Sequence, residues 1–171
     1  PSTLEAIGGL PSYEHLRDML GAMARYPSAA QRLRAGEHET VGFITVGAVY
    51  LYLRDRERSA VAQLAGQRVA TMDYDRPSQA MVDRVGAIQV PVNLSSLGPK
   101  FNNGDVDICY MSAAGYRPFE LYRGLGEAGG VLRYPLAQAT FQLLVRAPRF
   151  PDSFGASARG YFYEHFDRSL A

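Results

Sequence analysis

The chain has 171 residues, 47% of them apolar, a formal net charge of +1 and a single cysteine, Cys109. That length suits one domain or parts of two small lobes, and that apolar share is enough for a real core. Interspersed charge without a basic stripe speaks against a nucleic-acid partner, one cysteine rules out an internal disulfide, and no apolar run approaches the roughly 20 residues of a membrane-spanning helix.

In chain order, Pro1 is not an initiator methionine, and PSTLEAIGGLP reads as the interior of a longer protein. Ser12 is a helix cap, Glu14 suits the first turn, and Tyr13, Leu16, Leu20 and Met23 recur at helical spacing. Pro27 breaks this helix, and a second one runs from Ser28 through Leu33 to Gly36. Val41–Leu53 is β-branched and aromatic, a long strand with a bend or a crossing point at Gly47. Arg54–Arg58 is a charged turn of the kind that is usually solvated surface.

The most informative stretch is Leu64–Met111. Val69–Met72 is a short strand stopped by Asp73-Tyr74-Asp75. Pro77 sits where a helix can begin, Ala80, Met81, Val82 and Val85 give it an apolar face, and Gly86 ends it. Ile88–Val92 is a second strand, a further segment closes at Gly104, and Val106–Tyr110 is a third. Strand–helix–strand–helix–strand predicts a parallel sheet flanked by helices, with Val69–Met72 in the middle. Beyond it, Phe119–Leu125 reads as a helix, Val131–Tyr134 as extended, Ala139–Val145 as a strand and Ser157–Leu170 as a final helix.

Parallel sheets place ligands at the carboxyl ends of their strands, near a topological switch point. The residues there are Asp73, Tyr74, Asn93, Tyr110, Met111 and Ser112, with Arg76 and Tyr116 close in sequence. They form no catalytic set; they suit the floor of a binding cleft. The helix that starts near Arg76 would aim free N–H groups into that space, which attracts anionic groups. The tyrosines offer flat faces and hydroxyls to a solute.

Other motifs carry less. Gly124–Gly129 matches G-x-G-x-x-G, but follows a helix and precedes a strand, the reverse of a dinucleotide site. His15, His38 and His165 share no metal-ligand spacing. Cys109 lies inside a strand and reads as a small buried hydrophobe. Asp105 and Asp107 in NNGDVD read as a turn bonding its local backbone, short of a calcium loop. No catalytic residue, metal site or cofactor is expected.

The order Leu64-Ala65-Gly66-Gln67-Arg68-Val69, Gly86-Ala87-Ile88-Gln89-Val90-Pro91-Val92, Asn103-Gly104-Asp105-Val106-Asp107 resembles the second-lobe pattern of periplasmic solute-binding proteins. It is most similar to those serving tripartite ATP-independent periplasmic (TRAP) transporters, in an atypical branch, over roughly Leu10 to Phe150. The resemblance implies a periplasmic-binding-protein-like α/β fold, parallel-sheet lobes joined by crossing strands, present as a fragment without its opening strand–helix unit. It implies residues 1–48 in lobe I with the first crossing strand, 49–138 in lobe II, and 139–171 as the return strand and last helix. Family members usually carry a carboxylate-clamping arginine two positions after the K/R of L-x-G-x-(R/K). Arg68 takes the K/R place, so Ala70 stands where that arginine would be, and Arg76 is the candidate substitute.

The expectation is a periplasmic, non-enzymatic protein that captures a small organic solute between its lobes for membrane transporter subunits, without inserting in the membrane. The expected ligand-binding residues are Asp73, Tyr74, Arg76, Tyr110, Ser112 and Tyr116. The alternative is a cytoplasmic effector-binding domain of a transcription regulator, which shares the architecture. A small α/β enzyme ranks last, for want of a nucleophile–base or metal constellation.

Overall fold

The computed structural model describes residues 6–169, so the reading of the first five residues and the helix end at Leu170 lie outside it. Helix α1 spans Tyr13–Arg25; Ser12 caps it by accepting from the His15 N–H, and Leu16 and Leu20 are buried on its inner face. Helix α2 is Pro27–Arg32, with Pro27 at its first position, where a missing N–H costs nothing. Gly36 does not close that helix. It sits at φ +59 in the two-residue turn of a hairpin between β1 (Arg34–Ala35) and β2 (His38–Leu53).

β2 begins three residues before the predicted strand and is the spine of the sheet. The parallel unit follows as β3 (Arg68–Met72), α3 (Arg76–Arg84), β4 (Ile88–Val92), α4 (Leu94–Asn103) and β5 (Ile108–Ser112). Then come α5 (Leu121–Leu125), β6 (Gly130–Val131), β7 (Ala137–Arg146) and α6 (Phe154–Glu164).

The strand order is β1-β2-β5-β3-β4, with β6 and β7 on the opposite edge of β2. β3 pairs parallel with both β4 and β5, and so lies between them as the crossover argument requires. β2 runs antiparallel to β5 and to β7. Val49 is where β2 has both partners: Ser112 of β5 on one edge, Ala137 of β7 on the other. The register against β7 shifts between Thr45 and Gly47, and Gly47 has φ +106, so the predicted bend is a bulge that only glycine enters cheaply.

Several boundaries move. β5 starts at Ile108 because Asp105 and Val106 turn their N–H groups to the Lys100 carbonyl, closing α4 behind Gly104. The helix predicted from Phe119 begins at Leu121, and only Gly130–Val131 of the stretch before Tyr134 pairs as a strand. The final helix starts at Phe154 and ends at Glu164, followed by a 3₁₀ turn at Phe166–Ser169. Arg54 is no free surface charge; its guanidinium donates to the Phe101 carbonyl at 2.7 Å at the end of α4. In edge strand β4, Pro91 has no N–H, and its carbonyl accepts from Lys100 Nζ at 2.9 Å.

Three apolar clusters hold the fold. Tyr52, Ala70, Met72, Val92, Cys109, Leu97, Phe101 and Leu121 fill the space under α4 and α5. Leu53, Val69, Ile108 and Val82 join the other face of the sheet to α3. Leu10, Leu16, Leu20, Phe43 and Phe166 pack α1 on the first half of β2. There α6 delivers Arg159, which donates to Glu39 Oε1 at 2.6 Å and to the Thr40 carbonyl; both side chains of the pair are 5% exposed. Burial alone would raise the Glu39 carboxyl, but hydrogen bonds from Arg159 and Arg34 outweigh it and hold the group below the usual carboxylate range.

Candidate functional site

The carboxyl ends of β3 and β5 meet the start of α3 in one hydrogen-bonded cluster. Asp75 caps α3: its Oδ1 accepts from the Ser78 N–H, and its Oδ2 accepts from the Ser78 hydroxyl. The same Oδ2 accepts from the Tyr110 hydroxyl at 2.9 Å, and that hydroxyl accepts from the Met72 N–H at 3.3 Å. Burial pushes the Tyr110 phenol up to about 12, so it stays protonated and donates at any ordinary pH. Gln79 reaches back to the carbonyls of Met72 at 2.9 Å and Asp73 at 3.3 Å, and so fixes the β3–α3 turn.

Around this cluster the remaining predicted residues separate. Asp73, Tyr74 and Arg76 lie on the exposed turn, and none of their side chains has a hydrogen bond or ion pair among the described residues; Tyr74 is 76% exposed. Ser112 ends β5 at 6% exposure, and its hydroxyl has no partner among the described residues. It lies two residues beyond Tyr110, hence on the same face of the sheet. Tyr116 is turned elsewhere: its ring stacks on Tyr52 at 6.1 Å and meets Tyr122 edge-on, within the packing of the α4–α5 side. Asn93 is the cap of α4, and Met111 packs against the core.

No guanidinium projects freely from β3. Arg68 is held by Asp107 through Nε at 3.1 Å and a second nitrogen at 2.6 Å. Asp107 also accepts from the Arg68 backbone N–H at 2.8 Å. The expected local turn at NNGDVD is therefore corrected: Asp107 joins the starts of β3 and β5. Hydrogen bonds from Arg68 hold the Asp107 carboxyl down, and those to Asp107 push Arg68 up. Ala70 is fully buried on the α4 side. Cys109 is buried within β5, and burial alone raises its thiol well above the ordinary value, which makes a poor nucleophile.

The sequence marks a helix start beside Asp75, but sequence reasoning missed Tyr110 as a donor to that residue. Thirty-five residues separate them, and only the β5–β3 adjacency brings them together. The strand prediction itself was the available signal, since it put Tyr110 beside the end of β3.

A mixed sheet with βαβαβ order and a crossing spine defines the fold class, and solved structures share it. A Bordetella pertussis extracytoplasmic solute receptor, DctP7, binding pyroglutamic acid, superposes with a TM-score of 0.70 at 16% identity, covering 99% of this chain and 58% of that one. A TRAP periplasmic solute binding protein from a Sulfitobacter species, with bound β-D-galacturonate, gives 0.73 at 13% identity, covering 98% and 55%. The fold is thus the two-lobe α/β fold of TRAP-type solute receptors. The family model described as solute-binding protein AdeT 1/2 matches residues 2–169, and the chain belongs to that family. It is 32% identical over 168 residues to the "Probable solute-binding protein AdeT1" of Acinetobacter baumannii, covering 98% of this chain and 55% of that protein. The chain thus spans about half the length of this relative.

Proposed function

We propose that this chain is the larger part of a periplasmic receptor that captures a small organic solute between two lobes and presents it to a membrane transporter, with no chemistry on the solute. In this reading, residues 1–48 are part of lobe I with the first crossing strand, 49–138 are lobe II, and 139–171 are the return crossing strand and the C-terminal helix. The supporting observation is Val49: at one residue the spine passes from pairing with β7 to pairing with β5, beside the carboxyl ends where Ser112, Tyr110 and Asp75 gather. That is where an open α/β sheet takes a ligand, and where a hinge across two strands would close.

Within this reading, Tyr74, Asp73 and Arg76 reach the solute from the exposed turn, and Ser112 meets it from β5. Tyr110 orients the Asp75 cap, and Tyr116 backs the wall through Tyr52. The test is native mass spectrometry of the full-length protein isolated from its own periplasm. A released small molecule, together with its loss on Tyr74→Ala, supports solute capture here. A ligand that survives Tyr74→Ala and Ser112→Ala with unchanged affinity places the site elsewhere.

A further inference from the structure

The anion-attracting end of α3 is already filled from within. A helix start leaves N–H groups that favour negative charge. Here Asp75 supplies that charge, taking the Ser78 N–H, the Ser78 hydroxyl and the Tyr110 hydroxyl. A second carboxylate, Asp73, stands two residues away without a partner among the described residues. Against these two acids the turn carries one base, Arg76, exposed on the first turn of α3. The other nearby guanidinium, Arg68, is held on both sides by Asp107 at the opposite end of β3. A solute carboxylate brought to this turn would face like charge on a helix end already capped by a carboxylate.

An independent observation comes from β5. Ser112 is 6% exposed, and its hydroxyl has no partner among the described residues. The unpaired hydroxyl keeps contact with solvent, and an uncharged hydroxyl, amide or carbonyl group of a solute is its natural complement.

Resting on the solute-capture reading above, we infer that the solute is a donor-rich molecule without a carboxylate at this end. Its hydroxyl, amide or amine groups face Asp73 and Asp75, and one polar group pairs with Ser112. The two receptors of the same fold hold acids, pyroglutamic acid and β-D-galacturonate; this chain takes a different class.

The test uses the full-length protein, titrated calorimetrically with two matched pairs: galacturonate against galactose, and pyroglutamate against its primary amide. Any solute released in the native mass spectrum is also identified. The uncharged member of a pair should bind at least tenfold tighter, and a released solute should lack a carboxylate. Asp75→Asn keeps a competent cap while removing the charge. Asp73→Asn alters a side chain with no partner among the described residues, so folding is not at stake. Either variant should narrow the gap within a pair at least threefold. Tighter binding of galacturonate or pyroglutamate, a released carboxylic acid, or a gap indifferent to both variants overturns this inference and leaves solute capture standing. A protein that releases nothing and takes up none of the four probes overturns both.

Discussion

The hydroxyl of Tyr110 donates to Asp75 Oδ2 at 2.9 Å and accepts from the Met72 N–H, tying the end of β5 to the end of β3 and the first turn of α3. Tyr110→Phe removes the donor to a charged acceptor and leaves the Met72 N–H unpaired. The expected loss is about 1.5–3 kcal/mol in urea denaturation, with faster amide exchange at the start of α3. Unchanged stability and exchange would show the contact to be idle.

Tyr74 tests the site without testing the fold. Its side chain is 76% exposed and has no partner among the described residues, so Tyr74→Ala should leave the melting temperature within a degree or two. Solute affinity should fall by about 1–3 kcal/mol, the usual effect of losing an aromatic anchor. Tyr110→Ala should lower both affinity and stability, and calorimetry paired with denaturation separates the two variants.

The buried Arg159–Glu39 pair is a stability element remote from the parallel unit. Glu39→Gln leaves the Arg159 charge without its counter-ion at 5% exposure, and a cost of about 3–5 kcal/mol is expected. Gly155→Ala attacks the same place sterically, since a Cβ there would meet Glu39 Oε1 at 2.0 Å. About 1–3 kcal/mol is expected for it. Wild-type stability in Gly155→Ala would mean that α6 can move away from Glu39.

Acid should loosen the protein through two carboxylates. Glu39 and Asp107 both have folded-state values below their unfolded ones, so their stabilisation is complete above an unfolded value of about 4. It is lost as pH falls through the folded values. Asp107→Asn should therefore flatten the stability profile below about pH 4 relative to wild type. A profile as steep as the wild type's would remove Asp107 from the account.

The parallel unit was legible in the sequence because its signals are local. Asp73-Tyr74-Asp75 and Pro77 mark a strand end and a helix start, Gly86 and Gly104 stop, and the short apolar runs between them have no other use. The middle place of β3 followed from handedness alone. What was not legible depends on pairing across distance. Gly36 serves equally as a helix stop or a hairpin turn, and β1 needs β2 to exist. Asp107 looked like a local turn residue until β3 was laid beside it. In the site, the chemistry of each residue was readable, but its orientation was not. Tyr110 and Tyr116 are equivalent by type and position, yet one serves the α3 cap and the other stacks on Tyr52.

Pro91 and Lys100 give the sheet a direction of growth. With no N–H on Pro91 and its carbonyl taken by Lys100, β4 offers an incoming strand a broken template near its carboxyl end. The other margin has no such block: beside β7, the side chains of Ile44, Phe141 and Leu143 are left open to solvent. Self-association of the isolated 171-residue chain should proceed through β7 and not through β4. Phe141→Lys should therefore suppress it in sedimentation velocity, where Ile88→Lys does not. During synthesis, too, the β4 side is safe from stray pairing, and whatever strand is added to this sheet must be added from one side.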